Sequence, residues 1–102
     1  MPKHNLRAVE ESIKNINLIL SQIKELLMLV DDEDFEARLK RIYDMIEYAN
    51  PTSDENIISM ERRISNHLGD LKIMLVSRQE RRSVNLKMNT IYRHITERNS
   101  RT

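Results

Sequence analysis

An all-α helical bundle is what this chain's residues lead one to expect. The 102 residues contain a single Gly and two Pro, too few turn formers for a sandwich or barrel. Aromatic residues make up only 4% and Trp is absent, so the usual strand formers are scarce. Apolar residues also recur at alternating spacings of three and four along most of the chain, which is the period of a helix with one buried face. The length corresponds to one domain spanning residues 1–102. Within it, helices are expected over about residues 5–30, 32–49, 53–76 and 84–98.

The first helix carries the strongest periodic signal. Leu6, Val9, Ile13, Ile16, Leu20, Ile23, Leu27 and Val30 form a heptad stripe, with Leu6, Ile13, Leu20 and Leu27 at a and the others at d. These eight residues are expected to form a core or oligomer face, and a stripe of this length favours a coiled-coil-like homo-oligomer. Ile19 and Leu26 widen the face, and Leu26 to Val30 is apolar on every side, so this helix end needs more than one partner.

Asp31 or Asp32 is the expected N-cap of the second helix, with acidic residues filling its first turn where the helix dipole favours them. Phe35, Leu39, Ile42, Ile46 and Ala49 make its apolar face, and Asn50-Pro51 stops it. So short a link turns the first two helices into an antiparallel hairpin. Thr52 and Glu55 have capping-box spacing for the third helix, whose apolar face is Ile57, Ile64, Leu68, Leu71 and Leu75. Gly69 inside it suggests a point of close packing. The stripe then lapses over Ser77 to Ser83 and resumes at Val84, Met88, Ile91 and Ile95. With no Gly or Pro in that stretch, the expectation is one long or kinked C-terminal helix, with a hinge near Ser83 to Asn85 as the alternative.

Charge is balanced overall at +1 but segregated along the chain. Residues 31–61 carry ten acidic and three basic side chains, whereas residues 78–102 carry two acidic and seven basic. Arg78, Arg81, Arg82, Lys87 and Arg93 are candidate contacts to a polyanion, and Arg78, Arg82, Asn85, Asn89 and Arg93 would share one helix face. The same cations could instead answer the acidic segment within the protein. There is no Cys, so disulfides, thiol chemistry and Cys-based zinc sites are excluded. No apolar run approaches a membrane span and no signal peptide is evident, so a cytoplasmic protein without membrane contact is expected.

Two short motifs invite a chemical reading. Arg62 and His67, in RRISNH, form an R-x4-H pair that resembles the signature of HEPN-type helical ribonucleases over six residues. That resemblance implies Arg62 and His67 acting together on a phosphodiester from one helix of a dimeric bundle. The i to i+5 spacing, however, sends the two side chains to diverging faces. The longer stretch RRISNHLGDLKIML resembles the phosphoacceptor helix of sensor histidine kinases, although His67 is not where that pattern places its histidine. His67 with Asp70 and His94 with Glu97 each share a face at i, i+3, in the reverse order to the Glu-x-x-His of di-iron bundles. No catalytic residue, metal or cofactor is expected. The leading expectation is a non-enzymatic helical interaction or regulatory module that self-associates through helix one and also suits a protein partner. A nucleic-acid-binding protein using the basic C-terminal helix is the alternative, and a HEPN-like ribonuclease is a remote one.

Overall fold

The computed structural model describes residues 3–102, with side chains from residue 6 onward. Four helices follow one another: α1 (Lys3–Leu29), α2 (Glu33–Glu47), α3 (Glu55–Val76) and α4 (Arg81–Ser100). No strand occurs among the described residues. Helices α1 and α2 pack together, as do α3 and α4, and the pairs meet through α1 against α3 and α2 against α4. The register of the side-chain pairs fixes the directions. Glu11 meets Arg62 and Glu25 meets Lys72, so α1 and α3 run the same way. Asp32 meets Arg81 and the carbonyl of Met45 meets Asn99, so α2 and α4 also run together. The bundle therefore has an α1/α3 layer and an α2/α4 layer, and residues 48–54 cross between diagonal helices.

Local chemistry explains where each element starts. Asp32 caps α2, its Oδ1 accepting from Phe35 N at 3.0 Å, with Glu33, Asp34 and Glu36 in the first turn. Helix α3 departs from the expected capping box. Its N-cap is Asp54, whose carboxylate accepts from Asn56 N at 2.8 Å, while Thr52 Oγ1 accepts from Asp54 N at 3.0 Å and shapes the approach. Thr52 is thus a turn residue and α3 starts at Glu55.

The long or kinked final helix is not what forms. Residues 77–80 separate α3 from α4 with a full helix stop. Arg78 N donates to Leu75 O at 3.2 Å and Gln79 N to Met74 O at 3.0 Å, around Arg78 at φ 55°. This is a Schellman termination with arginine in the left-handed position that glycine usually takes. Ser77 Oγ adds a bond to Ile73 O at 2.7 Å. Good helix formers in this stretch are overridden because the packing of α4 on both α3 and α2 requires the chain to turn there.

The core is built from Ile16, Ile19, Ile23 and Leu26 of α1, Phe35, Leu39, Ile42 and Ile46 of α2, Ile64, Leu68 and Leu71 of α3, and Val84, Met88, Ile91 and Ile95 of α4. On α1 the inward face is Ala8, Ser12, Ile16, Ile19, Ile23 and Leu26, which from Ser12 onward are the d and g positions. Of the heptad stripe, Ile16 and Ile23 are core, Val9 is half-buried, Leu20, Leu27 and Val30 pack at its edge, and Leu6 and Ile13 are exposed. A helix with neighbours on two sides needs a wider face than an a/d seam, and Ile19 and Leu26 supply it. Gly69 is not a close-packing point, since a Cβ there would meet nothing within 4 Å.

Candidate functional site: a buried ion pair and a basic face

Among the described residues three polar side chains are wholly buried: Ser12, Glu61 and Arg98. Each occupies a position where the helix would otherwise place an apolar residue. Arg98 donates to Glu61 Oε2 through Nε at 3.1 Å and Nη2 at 2.8 Å. Ser12 Oγ donates to the same oxygen at 2.8 Å, and Asn15 Nδ2 donates to Glu61 Oε1 at 3.2 Å. The network continues into the diagonal connection, where Arg98 Nη2 reaches Asn50 O at 2.6 Å and Thr52 N donates to Ser12 Oγ at 3.1 Å. Asn99, which accepts from Arg98 Nη1 at 3.1 Å, closes onto Met45 O at 3.0 Å. Every helix and the α2–α3 connection thus meet at one cluster. Among the described residues no buried side-chain polar atom lacks a partner, the condition under which a buried charge pair is tolerated.

The five candidate cations fare differently from one another. Arg81 turns to α2, pairing with Asp32 at 3.1 Å and Asp34 at 3.5 Å and lying over the Phe35 ring. The Asp32 carboxyl is held below its ordinary value by the hydrogen bond from Arg81 and then by that from Phe35 N. Lys87 turns to α3, 3.4 Å from Asp70 and 3.2 Å from His67 Nδ1. Arg78 sits in the helix stop. Arg82 and Arg93 remain exposed on the outer side of α4. Part of the basic segment therefore answers acidic residues inside the molecule: Arg81 with Asp32 and Asp34, and Arg98 with Glu61.

Two residues outside the sequence reading join Arg82 and Arg93. From α2, Arg38 donates through both terminal nitrogens to Asn85 and Asn89 of α4. Arg41 lies over the Tyr92 ring, 5.3 Å from its centroid. A cleft of about 270 Å³ opens here, lined by Arg38, Arg41, Ile42, Met88, Asn89 and Tyr92. The sequence signal for Arg38 and Arg41 was their i, i+3 spacing on the flank of the Phe35, Leu39, Ile42, Ile46 stripe, masked by the acidic residues around them.

Arg62 and His67 lie on opposite flanks of α3. Arg62 reaches Glu11 of α1 at 2.6 Å, whereas His67 faces α4, its ring stacked on His94 with centroids 5.1 Å apart. Burial, then Lys87, then His94 lower the His67 pKa from its ordinary 6.5, against an opposing pull from Asp70. The two residues of the R-x4-H pair therefore face different neighbouring helices, α1 and α4. No group of three or more His, Cys, Asp or Glu suited to holding a metal occurs among the described residues. None of the helices is long and apolar enough to cross a membrane.

Comparison of the chain with protein-family models, curated proteins and solved structures found no match.

Proposed function

We propose that this protein is a non-enzymatic, cytoplasmic helical interaction or regulatory module that works as an oligomer of itself. The observation that carries this reading is the outer side of the α1/α3 layer. Leu18 is 50% exposed, Leu29 44%, Ile73 67% and Val76 64%. On α1, Leu18, Gln22, Glu25 and Leu29 follow one helical stripe, and Gly69, Ile73 and Val76 form the corresponding stripe of α3. The Glu25–Lys72 pair sets the register that brings Leu29 level with Val76. Apolar side chains exposed side by side along two adjacent helices are characteristic of a contact surface.

A second copy suits this face because its charges are already matched: Glu25 with Lys72, and Glu11 with Arg62. Two such faces meet without like-charge repulsion. The reading keeps helix one in the contact but moves the surface away from the heptad stripe, most of which is core or core edge. It also treats His67 and His94 as seam packing, with the His67 Nδ1 already engaged by Lys87.

Sedimentation velocity over a dilution series tests it. The sedimentation coefficient should rise with concentration into the tens of micromolar. A coefficient that stays at the monomer value throughout overturns the reading.

A further inference from the structure

The opposite side of the bundle has another character. The α2/α4 layer presents Arg38, Arg41, Arg82 and Arg93, and among the described residues no carboxylate lies within ion-pairing distance of Arg41, Arg82 or Arg93. The other cations of α4, namely Arg81, Lys87 and Arg98, are all paired, as is its C-cap Arg101. Apart from Arg78 in the helix stop, the uncompensated charge of the basic segment is therefore gathered on one face. Of the acidic residues near it, Asp34 is shared between Arg38 at 3.9 Å and Arg81 at 3.5 Å, and Glu97 is taken by Arg101 at 2.9 Å.

We propose that this α2/α4 face binds the sugar–phosphate backbone of a double-stranded nucleic acid. Arg82, Asn85, Asn89 and Arg93 form a stripe along α4, and Arg38 and Arg41 flank it from α2 at the levels of Asn85, Asn89 and Tyr92. From Arg82 to Arg93 the track is roughly 16 Å long at the helical rise per residue, enough to meet several consecutive phosphates. The Arg38 guanidinium is held in place by two amides before any ligand arrives, which lowers the ordering cost of binding. Guanidinium groups suit phosphate oxygens through paired N–H donors.

Duplex is favoured over single strand because Tyr92, the ring that lines the cleft, is already covered by Arg41, which leaves Tyr48 at the end of α2 as a single isolated ring and not a stacking platform. A base would have to displace that guanidinium to stack. The face lies on the other side of the bundle from the self-association surface, so it stays open in an oligomer and does not depend on one forming.

The test is fluorescence anisotropy of the whole protein with labelled RNA and DNA duplexes of one sequence, the matching single strands, and phosphatidylserine vesicles as competitor. Binding to duplex should weaken with salt, with a log–log slope near −3 if three phosphates are neutralised. The triple variant Arg41→Gln, Arg82→Gln, Arg93→Gln should lose affinity about tenfold or more at low salt. Lys24→Gln with Arg63→Gln, which removes two exposed cations of α1 and α3 that belong to neither proposed face, should change it less than about twofold. Circular dichroism confirms that both variants are folded. Tighter binding to RNA or to DNA identifies the source of the phosphates. No duplex binding at low salt, a similar loss in both variants, tighter binding to single strands, or full displacement by vesicles overturns the proposal.

Discussion

Arg98 of α4 and Glu61 of α3 meet inside the bundle, the guanidinium Nη2 2.8 Å from the carboxylate Oε2 and both side chains wholly buried. Removing one partner leaves the other charge buried and unpaired, so Arg98→Met or Glu61→Leu alone should cost about 3–5 kcal/mol. The double variant should be less destabilised than the sum of the two, with a coupling above about 1 kcal/mol by urea denaturation. Additive losses would show that the pair acts through separate contacts, such as that of Arg98 to Asn50 O.

This pair also shows how far the sequence could be read. Ser12 sits between Ala8 and Ile16, Glu61 between Ile57 and Ile64, and Arg98 three residues beyond Ile95, so each lies on an apolar stripe. Periodicity marks such positions as buried but does not say which polar residue on one helix meets which on another. The helical class and most core residues of α2, α3 and α4 follow from local patterning, whereas the stop between α3 and α4 and the shift of the inward face of α1 from the a/d stripe do not. The pairing of α1 with α3 and α2 with α4 depends on contacts distant in sequence, and so does the basic face. Counting charge along the chain grouped Arg81 and Lys87 with Arg82 and Arg93, whereas the folded protein turns the first two sideways to carboxylates of α2 and α3.

The helix stop at residues 77–80 was hidden for a different reason. Its left-handed residue is Arg78 at φ 55°, where a glycine would have announced it. Arg78→Gly should therefore stabilise the protein by about 1 kcal/mol, since an L side chain is penalised in that region. An unchanged or lower denaturation midpoint would mean that the arginine side chain contributes more than its backbone strain costs.

Gly69 offers the complementary test. It lies in the interior of α3 with open space where a Cβ would stand. Gly69→Ala should stabilise by roughly 1 kcal/mol and raise the melting temperature by about 4–8 °C. A loss of stability would imply a close neighbour at this position.

His67 gives the fold an acid sensitivity. Burial first, with Lys87 and His94 adding to it, makes His67 bind its proton less readily in the folded protein than in the unfolded chain. Acid therefore favours the unfolded chain. The stability contributed here is fully present above the ordinary pKa of 6.5 and declines as pH falls through that value toward the lowered folded one. Urea midpoints on either side of this window should drop more for the native sequence than for His67→Gln. An equal drop in both would assign the sensitivity to other groups.

Self-association through the outer side of α1 and α3 makes the sharpest demand. Light scattering on a size-exclusion column, run on the native sequence and on Ile73→Asp with Val76→Asp, measures the mass directly. The two substitutions replace exposed side chains, so the variant should keep its helical spectrum and elute with the mass of one 12.2 kDa chain. The native protein should elute at a multiple of that mass. A native protein with the mass of a single chain, or a variant that remains folded and associated, would contradict the assembly proposed for this face.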